Sequence, residues 1–100
     1  MTFDPEDLMR QLVQAGFERV PAISEPGEFA RRGDILDVFS PAMGEPLRLE
    51  FFDDELESIR VFDLNTQRTR HVLKSLKVPL VHDLAEVARE EDTLLLERLP

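Results

Sequence analysis

One hundred residues predict a single compact domain, and with 42% apolar residues the chain is too hydrophobic for a disordered tail. Twenty-one acidic against twelve basic residues, a net charge of −9, argue against a general nucleic-acid binder. The lack of cysteine excludes disulfide staples, thiolate metal sites and a thiol nucleophile, so burial must hold the fold, with seven Phe and no Trp or Tyr as its anchors.

The N-terminal stretch Met1-Thr2-Phe3-Asp4-Pro5-Glu6-Asp7 carries neither a basic region nor an apolar one, and the longest apolar run is Leu94-Leu95-Leu96. Neither a secretory signal nor a membrane span is expected, and the chain reads as cytosolic. Asp4 before Pro5 is a helix start, with Asp as N-cap, Pro at the first helical position and acidic Glu6 and Asp7 near the positive end of the dipole. Leu8, Met9, Leu12 and Val13 follow at helical spacing, and Gly16 suits the C-terminal cap, which predicts a helix over roughly residues 5–15.

After Gly16 the period changes to two. Phe17 to Val20 alternates, Glu25-Pro26-Gly27-Glu28 is turn chemistry, and Phe29 to Arg32 and Asp34 to Phe39 read as strands around a bulge or bend at Gly33. Ser40 to Pro46 reads as a loop. Leu47 to Phe52 and Leu56 to Phe62 read as strands joined tightly through Asp53-Asp54. A weaker strand is expected from Val72 to Val78, and a short helix from Asp83 through Ala88. The sum is α+β: a small twisted antiparallel sheet, a meander, packed against an N-terminal helix.

Little in the chain points to catalysis. The carboxylates Asp53, Asp54, Glu55 and Glu57 are a candidate Mg²⁺ site, but adjacent carboxylates on a hairpin tip point apart and a solvated turn is the plainer reading. His71 and His82 stand outside any ligand spacing, and the four glycines form no phosphate loop. Neither a catalytic residue nor a cofactor is expected. Arg32-Gly33-Asp34 spells an adhesion tripeptide, a chance match in this context.

The strand Leu47 to Phe52 is more telling. Alternation sends Leu47, Leu49 and Phe51 to the core and sets Arg48, Glu50 and Phe52 on the opposite face. An aromatic beside an arginine is the composition of an interface hot spot. Parity alone leaves open whether the C-terminal segment covers that face and makes Phe52 core. Arg32, on a neighbouring strand, adds a second guanidinium if the Gly33 region sets the register, giving a local positive patch suited to carboxylates on a partner.

These residues bring a family into view. Glu25-Pro26-Gly27-Glu28-Phe29, Arg32-Gly33-Asp34-Ile35-Leu36-Asp37-Val38-Phe39, Arg48-Leu49-Glu50-Phe51-Phe52-Asp53-Asp54-Glu55, Glu57-Ser58-Ile59-Arg60 and Phe62-Asp63 through Thr66-Gln67-Arg68-Thr69 run in unbroken order. Together they resemble the bacterial transcription-repair coupling factors (Mfd), in their UvrB-like N-terminal module. The resemblance covers roughly residues 5–80 and fades from Leu80 onward, so residues 1–100 are expected to form one domain, with 81–100 the less certain part.

The resemblance implies a non-catalytic domain that docks the excision-repair protein UvrA. The parent would be an ATP-driven translocase that displaces stalled RNA polymerase and meets polymerase and DNA through other domains. The family's docking residues fall by motif on Arg32, Arg48 and Phe52, with Glu50 beside them on the same face. Phe52 would fill a partner's apolar pocket while the arginines bond acidic groups around it, so truncating either Phe52 or Arg48 is expected to leave the fold intact. Two alternatives stand beside this: an autoinhibitory clamp on the parent motor, or the equivalent UvrA-binding domain of a UvrB-like protein. No helicase motif is present, and neither membrane contact nor direct nucleic-acid binding is expected.

Overall fold

The computed structural model describes residues 4–81 and 93–97. The first element, α1 (Pro5–Gln14), starts as the sequence dictates: the Asp4 carboxylate accepts the Glu6 N–H at 2.9 Å, with Pro5 just inside. It ends in a Schellman motif. Gly16, at φ 99°, donates to the Val13 carbonyl and Phe17 donates to that of Leu12, so the chain reverses with both Leu12 and Phe17 buried. Leu8, Met9 and Leu12 form the buried stripe. Val13 is 57% exposed and lies outside that face, because the sheet covers a narrower arc than the apolar spacing implies.

Six strands follow in one sheet: β1 (Glu18–Arg19), β2 (Glu28–Arg32), β3 (Ile35–Phe39), β4 (Leu47–Phe52), β5 (Glu55–Phe62) and β6 (Thr69–Leu73), ordered as they occur in the chain. From β2 to β6 the sheet is an antiparallel meander, whereas the short β1 lies parallel to β2. Gly33 and Asp34 are the two-residue turn between β2 and β3, not a bulge within a strand. Arg32 pairs with Ile35, and Gly33 takes φ 58° at the first turn position, where a side chain is disfavoured. The bulges lie elsewhere. One opposite Glu50 and Phe51 lets Leu56 and Ile59, three residues apart, both reach the core.

The expected strand from Val72 to Val78 is two strands. The chain leaves the main sheet after Leu73, and β7 (Ser75–Pro79) pairs instead with β8 (Thr93–Glu97) in a separate two-stranded sheet. The helix expected from Asp83 to Ala88 lies outside the described residues. Leu96 and Val78 join Leu8, Leu12, Val38, Leu47 and Leu49 in the main core, and the Ser40 hydroxyl, fully buried, donates to the Pro79 carbonyl at 3.0 Å. The sheet therefore has two unlike faces. Helix and β7–β8 cover one. Among the described residues, the other carries a smaller cluster of Ile23, Ala30, Phe39 and Phe62 toward one end.

Candidate functional site

Strand β4 alternates as expected: Leu47, Leu49 and Phe51 are buried, while Arg48, Glu50 and Phe52 point to the face away from the helix. Phe52 is 64% exposed, whereas Phe17, Phe29, Phe39, Phe51 and Phe62 are buried. The C-terminal strand packs on the opposite face with Leu96, so it does not cover the Phe52 ring. Register places Arg32 on the same face, since Arg32 pairs with Ile35, which pairs with Glu50.

Arg48 is tied into the chain more firmly than alternation implies. Its Nε and Nη2 donate to both oxygens of Asp37, at 2.8 and 3.0 Å, and Nη2 also donates to Gln67 Oε1 at 2.8 Å. Its guanidinium stacks over Phe62, 4.1 Å from the ring centroid. The side chain is 14% exposed and that of Asp37 only 7%. Hydrogen bonding to Asp37 raises the Arg48 pKa above its ordinary value, against the desolvation that lowers it. The expectation that truncating Arg48 leaves the fold intact is thereby revised: a buried carboxylate would lose its partner.

The positive patch is also smaller than two free arginines would make it. Arg60 bonds Glu50 at 2.7 Å, and Arg48 is neutralised by Asp37. Arg32 keeps most of its freedom, 58% exposed and 3.9 Å from Asp37. Between Arg32, Asp37, Arg48, Phe62, Gln67 and Ile23 lies an open depression of about 300 Å³ with mixed polar and apolar walls.

Two partners of Arg48 escape sequence reasoning. Asp37 sits in a strand that otherwise reads as apolar, and a charge there, four residues from a turn, was the available signal. Gln67 is delivered by a loop whose geometry rests on Asp63, whose carboxylate accepts the N–H groups of Asn65 and Thr66 at 2.8 and 3.0 Å. The bond from Thr66, with that from Asn65 and the nearby Arg70, holds the Asp63 carboxyl below its ordinary range against desolvation.

Asp53 and Asp54 form the exposed two-residue turn between β4 and β5, and His71 is exposed on β6. Among the described residues no group of three or more His, Asp or Glu side chains is gathered as a metal ion would require, and no helix is long and apolar enough to cross a membrane.

A helix-backed meander with one open face carrying an exposed aromatic and arginines is the build of an interaction module. The chain belongs to the UvrB interaction domain family, whose sequence pattern matches residues 1–81. It is 50% identical over 74 residues to the transcription-repair-coupling factor of Myxococcus xanthus, covering 74% of this chain and 6% of that protein. With the factor of the same name from Haemophilus influenzae it shares 46% identity over 78 residues, 77% of this chain and 7% of that protein. With that of Staphylococcus aureus it shares 40% over 80 residues, 80% and 7% respectively. The chain thus spans less than a tenth of the length of these relatives.

Proposed function

We propose that this chain is the UvrA-docking domain of a transcription-repair coupling factor, using the face built around Phe52, Arg32, Arg48 and Glu50. Family membership supports the class of module, and the resemblance to coupling factors supports the partner. The observation that carries the reading is the Phe52 ring, 64% exposed on a strand whose other large apolar residues are all buried. A phenylalanine offers roughly 150–250 Å² of surface, so about 100–150 Å² of this ring remains to be covered. At about 25 cal/mol/Å² that is worth about 3 kcal/mol, part of which offsets the cost of association. Arg32 supplies an exposed guanidinium on the same face, and Arg48 one held by Asp37 and Gln67. Displacement of stalled polymerase and ATP hydrolysis belong, in this reading, to the larger protein of which such a domain is part.

Titration of purified UvrA with the wild-type chain and with Phe52→Ala tests the proposal. Truncating the ring is expected to weaken binding by about thirtyfold or more while the circular-dichroism melting curve stays within a few degrees. Wild-type affinity in a folded Phe52→Ala protein rejects the site.

A further inference from the structure

Gln67 is one of two non-glycine residues with a left-handed backbone among the described residues, at φ 63°. Glycine or asparagine occupies that region more readily, so an outlier held there asks what it achieves. The backbone bonds of the loop do not use its side chain. Gln67 N–H donates to the Asp63 carbonyl at 2.7 Å, Asp63 N–H donates to that of Arg68 at 2.9 Å, and the Asp63 carboxylate holds Asn65 and Thr66. The long amide makes one bond within the loop, Nε2 donating to the Leu64 carbonyl at 2.8 Å, which fixes its orientation, and one outward, Oε1 accepting Arg48 Nη2 at 2.8 Å. Asp37 takes Nε and the other Nη2 donor, and Phe62 supports the guanidinium plane from below. Three of the five guanidinium donors are thereby occupied. The two on Nη1 have no acceptor among the described residues, and Arg48 lines the depression that Arg32 also lines.

We infer that Gln67 is a positioning residue for docking: with Asp37 it brackets Arg48 so that Nη1 is the edge presented to an oxygen acceptor, a carboxylate or carbonyl, on the partner. The inference rests on the docking role proposed for this face. It makes Arg48 a pre-oriented donor whose rotamer freedom is lost on folding and not on binding, which leaves more of each contact as affinity. A lysine cannot fill this role, having one nitrogen where the bracket holds two and presents a third.

Gln67→Asn and Gln67→Gly test it, because both residues accept the left-handed backbone and neither reaches Arg48. Each is expected to melt within a few degrees of wild type. Without any partner, the Arg48 Nε–H resonance in a ¹⁵N spectrum, placed over the Phe62 ring, is expected to shift and broaden in both. Titrated with purified UvrA, each is expected to bind about five- to tenfold more weakly. In an Arg48→Lys background Gln67→Asn is expected to add nothing. Wild-type affinity in Gln67→Asn, alongside weakened Phe52→Ala, overturns the positioning role alone. An equal loss in the Arg48→Lys background overturns it too, since Gln67 would then touch the partner itself. No binding by the wild-type chain overturns both this inference and the docking role beneath it.

Discussion

Replacing Arg48 by alanine leaves the Asp37 carboxylate, 7% exposed, without the two bonds that compensate its burial. Breaking a buried pair on one side typically destabilises by about 3–5 kcal/mol. The guanidinium over Phe62 contributes about 0.5–2 kcal/mol more. Against this, Arg48 retains some exposure, and Arg32, already 3.9 Å from Asp37, is near enough to swing in. A net loss of about 3 kcal/mol is expected, and for a domain of this size that lowers the melting temperature by about 12–24 °C. Thermal unfolding followed by circular dichroism at neutral pH measures it. Arg48→Met combined with Asp37→Leu, which removes both charges at once, is expected to recover much of the loss. A single Arg48→Ala variant melting within 3 °C of wild type would refute the reasoning, because it would mean that Asp37 never needed its partner.

Leu96, 1% exposed in β8, is expected to lower stability by about 2–5 kcal/mol when truncated to alanine, while Leu95→Ala, at a site 44% exposed, changes it little; urea titration separates the two. Acid is expected to weaken the fold through Glu28, whose buried carboxylate accepts the Ser24 and Glu25 N–H groups and is held below its ordinary value chiefly by the Ser24 bond, against desolvation. A carboxyl lowered in the folded state contributes stability that is complete above the ordinary range and is lost as the pH falls through the lowered value. The urea midpoint of wild type is therefore expected to drop below about pH 4, and that of Glu28→Gln to drop less steeply. Equal slopes would remove Glu28 from the account.

The helix and the meander were legible in the sequence because local rules and tertiary packing agree there. Asp4-Pro5 and Gly16 bracket α1, and period-two apolar residues mark β3 to β5. The same rules fail where a long-range contact decides. Nothing local shows that the chain leaves one sheet after Leu73 to pair with residues 93–97, since β7 is chosen by its partner and by the core that Leu96 completes. At the candidate site, parity placed Arg48, Glu50 and Phe52 on one face, a statement about the backbone that the side-chain exposures bear out. Parity is silent on what a charged side chain does once there. Arg48 reaches Asp37 on the next strand and Gln67 across nineteen residues of chain, and both contacts depend on register and on a left-handed loop residue.

The most direct test introduces a benzophenone side chain at position 52, and in a second protein at position 13, and irradiates each with purified UvrA. Val13 is 57% exposed on the helix, across the sheet from Phe52, and serves as the matched exposed site. Cross-linking from position 52 and none from position 13 is the expected result. Cross-linking from the helix alone would place the partner on the opposite side of the domain and contradict the account.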